Sequence, residues 1–254
     1  MAKSGRNGVE DPAALKPWPK RPARLAHAVV ESLTDSIVSG AIPSGSTLPV
    51  EPELCETFGV SRITIREAVK SLEAKGLVRA RQGSGTTVTQ SEEWNLLDPV
   101  VLAATVQHDD ELVVLDHLVG VRSVLEAQMA AQAAELATDD DLREVEGLLD
   151  RLEDEIATPA RFVESDVLFH DRIMQASRNR LGRSIIRTVH TQARSTFLYT
   201  GTPDGRACEQ ANAEHSRIVE RLLARDPVGA AQAMTAHIEA AWSRRRVPHS
   251  GGTG

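Results

Sequence analysis

The chain has 254 residues, of which 41% are hydrophobic and 26% charged, values typical of a folded protein of one or two domains. Aromatic residues make up only 3%, which disfavours a protein that stacks single-stranded nucleic acid on aromatic rings. No stretch is apolar over the roughly 20 residues that a membrane helix needs, and the N-terminus lacks the apolar run of a secretory signal. We therefore expect a soluble, cytoplasmic protein with no membrane partner.

The net charge of −7 is unevenly distributed along the chain. Residues 1–90 are basic by three charges, whereas residues 91–254 are acidic by ten. A basic front and an acidic back are consistent with contact to DNA at one end only. The two cysteines, Cys55 and Cys208, fit no zinc-finger or Cys-x-x-Cys spacing and are interpreted as small buried side chains.

The first 90 residues predict a tail followed by three helices and a hairpin. Residues 1–23, rich in Pro, Gly and basic side chains, are expected to be disordered. Apolar residues every four positions then predict a helix that ends near Gly40. Its apolar face holds Leu25, Val29, Leu33 and Ile37.

A second helix is predicted over 51–58, Gly59 supplies a tight turn, and Ser61 can cap a third helix over 62–75. Two β-like runs, 77–81 and 86–89, flank a glycine-containing loop. This order predicts that residues 24–90 form a winged helix-turn-helix domain.

The rest of the chain has a helical pattern. Residues 91–108 contain the breakers Asn95 and Asp98-Pro99 and are interpreted as a linker. Residues 109–246 show helical periodicity and no strand pattern, which predicts an antiparallel bundle of six or seven helices. A second disordered tail is expected over 247–254. The predicted fold class is therefore mostly α, with an N-terminal winged helix-turn-helix and a C-terminal all-α bundle.

The strongest functional signal lies at the start of the third predicted helix. A recognition helix places hydrogen-bond donors at its N-terminal end, where it enters the major groove. Arg62 and Arg66 lie four residues apart and project from one face, and arginine binds guanine or phosphate. Ser61 and Thr64 can bind phosphate oxygens. Each residue alone could be an ordinary solvated side chain, but the group beside a glycine wing predicts binding to double-stranded DNA.

Residues 40–88 resemble the DNA-binding domain of the gluconate-repressor (GntR) family of transcription regulators. The resemblance rests on G-x-I-P-S-G-S-x-L-P, V-S-R-x-x-x-R-E-A, L-E-A-K-G-L and the glycine wing. It implies that the third helix and the wing grip operator DNA, the wing in the minor groove. The implied contacts are Ser61, Arg62, Thr64, Arg66, Gln82 and Gly83. Pro52 stands where the family often has a basic DNA contact, so we expect that contact to be lost and the second helix to begin later.

A second group of residues has the composition of a metal site. Asp166 and His170 lie four residues apart on one predicted helix, and His215 and His237 lie on two others. Three imidazoles and a carboxylate inside a bundle can bind a divalent transition metal and leave positions open for a ligand. A lone helical histidine is more often an ordinary surface or core residue. The remaining histidines are interpreted in that way: His27, His108, His117, His190 and His249.

Residues 110–242 resemble the C-terminal effector domain (FCD) of the FadR-type branch of the same family. The similar segments are 121–126, 166–179, 214–219 and 233–238. The resemblance implies that Asp166, His170, His215 and His237 bind a divalent metal, with zinc expected and nickel or manganese as alternatives. Lipid-sensing members lack these ligands, so a fatty acyl effector is not expected.

The same resemblance implies a small carboxylate effector. Arg122 matches an arginine that binds the effector, and Glu126 is positioned to orient it through an i,i+4 ion pair, although a plain surface ion pair is the alternative. Arg194 is a further pocket candidate. The segment W-N-L-L-D-P-V-V-L (94–102) resembles members that respond to sugar acids.

Together these features predict a homodimeric transcription regulator. We expect it to be a repressor whose affinity for its operator is controlled by a small carboxylate. Two alternatives stay open: a DNA-binding dimer without an effector, and a metal-dependent hydrolase. The chain has no His-Glu-x-x-His, no Gly-x-Ser-x-Gly and no evident nucleophile–base pair, which argues against the enzyme.

Overall fold

The structure, a computed structural model, describes residues 22–81, 83, 85–109, 112–194 and 203–245, without the side chains of 22, 23, 191–194 and 245. Ten α-helices and one two-stranded sheet lie in this part of the chain, with a short 3-10 helix over Ser91–Glu93. In chain order they are α1 (Pro22–Val38), α2 (Glu51–Phe58), α3 (Arg62–Ala74), β1 (Val78–Arg81), β2 (Gly85–Val88), α4 (Pro99–Gln107), α5 (Val113–Leu136), α6 (Asp139–Glu155), α7 (Pro159–Ala176), α8 (Arg180–Arg194), α9 (Gly205–Leu223) and α10 (Pro227–Arg245).

Of the two predicted tails, residues 1–21 and 247–254 lie outside the described residues. Residues 22 and 23 instead begin α1, because proline is tolerated in the first turn of a helix, where its missing N–H has no partner to lose. The mostly α fold class with an N-terminal winged helix-turn-helix is confirmed.

The N-terminal domain is held by the apolar face of α1 packed on α3. Val29, Leu33 and Ile37 are buried as predicted, but Leu25 is 52% exposed because it lies in the first turns of α1, beyond the core. Ile65, Ala68 and Leu72 supply the facing side of α3 and are all fully buried.

Capping residues determine where the two helices of the helix-turn-helix begin and end. Helix α2 begins at Glu51, so the expected later start is wrong: Pro52 sits in the first turn, where it costs no helical hydrogen bond. Gly59 ends α2 with φ 62°, the left-handed conformation that glycine adopts readily. The hydroxyl of Ser61 accepts the backbone N–H of Thr64 at 3.2 Å and so caps α3, as predicted.

The wing is an antiparallel hairpin in which Val78 pairs with Val88 and Arg81 with Gly85. The segment before α2 joins it, because Thr47 pairs with Thr87 and the N–H of Leu48 donates to the carbonyl of Thr86. This third piece of backbone anchors the wing to the helix-turn-helix.

The segment interpreted as a linker, 91–108, contains α4. Asp98 caps this helix by accepting the backbone N–H of Val100 at 3.0 Å, and it also pairs with Lys75 at the end of α3. Val101 is part of the N-terminal core, whereas Leu102 and Val106 pack with Leu115 of α5. Helix α4 therefore packs both in the N-terminal core and, through a small separate cluster, on α5 of the bundle.

In the C-terminal bundle, α5 is the central helix. Its 24 residues span about 36 Å, and it packs along α10 and contacts α7, α8 and α9. Helix α6 packs on α7 and α9. Alanines at 127, 130, 133 and 134 line the buried face of α5, and such small side chains let neighbouring helices approach closely. None of the described helices has the length and apolarity to cross a membrane.

Replacing Leu72 with alanine should lower the free energy of unfolding by about 2–5 kcal/mol, because the fully buried side chain would leave a cavity. Ile63→Ala on the same helix is the matched control, since Ile63 is 72% exposed, and should change stability by no more than about 0.5 kcal/mol. Urea titration followed by circular dichroism measures both. Equal losses in the two variants would contradict the assigned packing of α3.

Candidate metal centre and nucleic-acid interface

The four predicted metal ligands come together in the bundle. Asp166 and His170 lie on α7, His215 on α9 and His237 on α10, and one donor atom of each lies within 4.8 Å of the others. Nε2 of His237 is 3.1 Å from Nε2 of His170 and 3.2 Å from Nε2 of His215. Oδ1 of Asp166 is 3.2 Å from Nε2 of His215. The three histidines are buried, and the side chain of Asp166 is 23% exposed.

Two carboxylates hold the outer nitrogens of these histidines. Oε2 of Glu126 lies 2.7 Å from Nδ1 of His170, and Oε2 of Glu214 lies 2.9 Å from Nδ1 of His237. Burial raises the pKa of Glu126, but Arg122 and His170 outweigh it and hold that pKa well below its usual range. Burial likewise opposes ionisation of Glu214, yet its contacts with His237 and Arg244 lower its pKa to about 2. Both carboxylates are therefore ionised and can only accept hydrogen bonds.

The ionised carboxylates fix which nitrogen of each ring carries the proton. His170 and His237 must donate from Nδ1, and burial, then repulsion from His215, lowers the pKa of His237 to about 3 and keeps it neutral. Nε2 of His237 then carries a lone pair, which faces Nε2 of His170 across a 3.1 Å gap. A cation between them satisfies both, so these residues fit a divalent metal.

Asp166 and His215 complete the cluster. Burial opposes the ionisation of Asp166, but the hydrogen bond with His215 and the nearby His170 lower its pKa below the usual range. Burial lowers the pKa of His215, which favours its neutral form, the form that binds metals. Nδ1 of His215 is buried without a hydrogen-bond partner, unlike the outer nitrogens of His170 and His237.

The predicted effector arginine lies beside this cluster. Nε of Arg122 donates to Oε1 of Glu126 at 2.8 Å, which is the i,i+4 ion pair predicted from the sequence. It is not a surface pair, because Glu126 is fully buried and only 11% of the Arg122 side chain is exposed. The side chain of Arg194 lies outside the described residues.

Sequence reasoning missed two residues of this site. His190, interpreted as an ordinary histidine, is indeed buried, but its Nε2 lies 3.2 Å from Oε1 of Glu126. Its burial could have been predicted from the sequence, because His190 lies on the apolar face of α8 with Ile186 and Val189, which are both buried. Glu214 directly precedes a ligand histidine in the chain, yet it holds the ring of a different one, His237.

Only some of the residues predicted to contact DNA are exposed to solvent. Arg62 and Arg66 are exposed on α3, and Nε of Arg66 lies 3.0 Å from both carboxylate oxygens of Glu51. Ser61 is exposed, but Thr64 is buried, with its hydroxyl 2.9 Å from that of Ser61. Gly83 is exposed at the tip of the wing with φ 82°, and Gln82 lies outside the described residues.

Comparison with known proteins also divides the chain into an N-terminal and a C-terminal domain. Residues 25–88 match the model of bacterial regulatory proteins, gntR family, and residues 117–240 match that of the FCD domain. The chain is 31% identical over 205 residues to the galactonate operon transcriptional repressor of Escherichia coli (strain K12), covering 81% of this chain and 90% of that protein. The chain belongs to the gntR family. It is thus a DNA-binding transcription regulator rather than an enzyme, and the hydrolase alternative is set aside.

Other relatives of this gntR-family regulator extend the likeness. It is 28% identical to the putative L-lactate dehydrogenase operon regulatory protein of Escherichia coli (strain K12), over 85% of this chain and 84% of that one. A solved structure of the Listeria monocytogenes regulator Lar shares the fold, with a TM-score of 0.57 and 15% identity over 91% of this chain and 98% of that chain.

The lowered histidine pKa values predict how the metal-free protein responds to acid. Unfolded His237 takes up a proton near pH 6.5, whereas folded His237 does so only near pH 3. Its contribution to stability is therefore complete above pH 6.5 and is lost as the pH falls below it, by about 1.4 kcal/mol per pH unit. Burial also lowers the pKa of His215 and His190, so denaturation in chelator between pH 6 and pH 5 should show at least this slope, and His237→Gln should reduce it by about this amount. An unchanged slope in the variant would contradict a neutral, buried His237.

Proposed function

We propose that this chain is a transcriptional repressor whose operator affinity falls when a small carboxylate binds at a divalent metal in the C-terminal bundle. The proposed ligands of the metal are Asp166, His170, His215 and His237. The observation that carries the proposal is the convergence of one donor atom from each of these residues to within 4.8 Å, with Glu126 and Glu214 holding the Nδ1 atoms of His170 and His237. A divalent cation at this point would offset the negative charge of the buried carboxylates and bind the Nε2 atoms.

The metal is proposed to be zinc, with nickel and manganese as the alternatives, since all three accept nitrogen and oxygen ligands. When bound, the metal supplies an electrophilic centre with open positions for a carboxylate oxygen. Arg122 would hold the acid beside it by a charge-assisted hydrogen bond, the strong type that arginine forms with carboxylates. The buried surroundings strengthen that attraction by keeping water away.

The proposed effector is a sugar acid or a related hydroxy acid. The galactonate operon repressor is named for an operon of a sugar acid, and the putative lactate dehydrogenase operon regulator for an operon of a hydroxy acid. The charged and polar side chains around Glu126 and Asp166 support this class over a fatty acyl chain, because an apolar chain would form no hydrogen bond with them.

Helix α4 supports a route from effector to DNA. Its Val101 packs in the N-terminal core, and its Leu102 and Val106 pack on Leu115 of α5. Helix α4 also contacts α8, which carries His190. A ligand shifts an equilibrium only by its differential affinity for the two states, typically about 1–3 kcal/mol. The proposal is that the acid favours an arrangement that does not fit the operator, so that the DNA is released.

A homodimer acting on two half-sites in the cytoplasm is part of the proposal. One exposed face over residues 113–128 of α5 supports a second copy as the partner, because it carries no acidic side chain within a strongly acidic domain. Its exposed residues recur every three or four positions: Val113, His117, Val121, Val124 and Gln128. A bundle that only dimerises, without metal or acid, is the competing reading of the same face.

Thermal unfolding should separate these two functions. D-galactonate or L-lactate should raise the melting temperature of the metal-loaded protein with acid concentration, since a ligand of the folded state stabilises it. Prior chelation or His215→Ala should abolish the effect, and His27→Ala, at an exposed histidine, should leave it intact. A melting temperature that neither chelation nor any sugar acid or hydroxy acid changes would favour the dimerisation module.

Arg62 is proposed to read the operator from the exposed start of α3. Arg62→Ala should weaken binding to an operator selected in vitro by about 10-fold to 100-fold, the cost of one bidentate base contact. Arg143→Ala removes an exposed arginine from α6 and should change affinity by less than about threefold. Fluorescence anisotropy at fixed salt measures both. Equal losses would show that Arg62 contributes only net charge.

A further inference from the structure

Glu126 is surrounded by donors on both of its oxygens. Oε2 accepts from Nδ1 of His170 at 2.7 Å, whereas Oε1 accepts from Nε of Arg122 at 2.8 Å and faces Nε2 of His190 at 3.2 Å. The carboxylate is fully buried, on the central helix α5. One side chain therefore contacts a proposed metal ligand and the proposed effector arginine at once.

Glu214 offers a natural comparison. It holds Nδ1 of His237, as Glu126 holds His170, and it too is paired with an arginine, through two contacts of 2.7 and 2.9 Å to Arg244. Arg244 lies in the last turn of α10 and is not the arginine proposed to bind the acid. The two glutamates thus resemble each other toward the metal and differ in which arginine they hold.

Only an ionised carboxylate can accept on both sides of Glu126. A glutamine has one acceptor oxygen, so its amide nitrogen would face either Arg122, donor against donor, or His170, whose Nδ1 is a donor whenever Nε2 binds the metal. Leaving a buried donor unpaired is costly, so the surrounding side chains would have to move apart. At Glu126 such a movement disturbs the metal ligand or the arginine, whichever faces the nitrogen.

We propose that Glu126 is a positioning residue for both ligands of this site, one oxygen orienting His170 toward the metal and the other, with His190, orienting Arg122 toward the acid. This rests on the proposed function for the identity of the two ligands. It makes His190 a second positioning residue for Arg122, acting through Oε1 of Glu126. Metal and acid binding are then coupled through one buried carboxylate.

The test compares Glu126→Gln with Glu214→Gln, using zinc alone as the first probe. Competition with a chromophoric chelator should show that each variant loses about 10-fold to 100-fold in zinc affinity, the usual effect of removing an outer hydrogen bond to a ligand histidine. The second readout needs no ligand: the Nε–H signal of Arg122 in a nitrogen–proton correlation spectrum, assigned with Arg122→Lys. Its protection from exchange should vanish in Glu126→Gln and persist in Glu214→Gln.

D-galactonate and L-lactate are the third probe, titrated at saturating zinc. Glu126→Gln should weaken binding of whichever acid the wild type binds by about tenfold or more, because Arg122 would no longer be held in place. Glu214→Gln should leave the affinity for the acid unchanged. A protected Arg122 Nε–H in Glu126→Gln would overturn the proposal. Wild-type protein that binds no zinc would instead overturn the proposed metal function, and the exchange readout would still decide whether Glu126 orients Arg122.

A second pair of variants covers the case in which Glu126→Gln does not fold, as circular dichroism would show. His190→Ala should expose the Arg122 Nε–H to exchange and leave zinc affinity within about threefold, because it touches only Oε1. His190→Gln keeps an N–H donor at that place and should restore the protection. Zinc affinity lost equally in His190→Ala and Glu214→Gln, with Arg122 unaffected, would contradict the division between the two oxygens.

Discussion

The hydrogen bonds from two buried imidazoles to two buried carboxylates determine the chemistry of the C-terminal domain. Glu126 and Glu214 accept hydrogen bonds from Nδ1 of His170 and His237, and the Nε2 atoms of these two rings face each other across 3.1 Å. In a low-dielectric interior such an arrangement has to be compensated by positive charge. The metal-binding proposal follows from this constraint on protonation, and not merely from the presence of three histidines.

The architecture places this constraint where it can influence DNA binding. Helix α5 carries Arg122 and Glu126 at the centre of the bundle, and α4 shares its apolar side chains between the bundle and the winged helix-turn-helix. The start of α3, proposed to face the DNA, is in turn fixed by the cap of Ser61 and by packing on α1. Helix α4 would therefore carry the proposed change in bundle packing to the N-terminal core through packed side chains.

Much of this was predictable from the sequence, because local rules decide it. The four-residue period located α1, Gly59 and Ser61 located the turn, and the spacing of Asp166 and His170 put both on one helical face. What failed depended on tertiary context: Pro52 was compatible with the first turn of α2, and Asp98 capped a helix in the expected linker. The roles of His190 and Glu214 depend on which helices face each other across the bundle, and a single sequence does not specify that.

The most direct measurement is anomalous diffraction from crystals of protein purified without chelator, with the metal first identified by X-ray fluorescence. A buried transition metal predicts one anomalous peak per chain, within about 2.0–2.2 Å of the three Nε2 atoms and of Asp166. Well-ordered crystals from metal-supplemented solution that show no peak there, with a proton shared between His170 and His237 instead, would contradict the central claim.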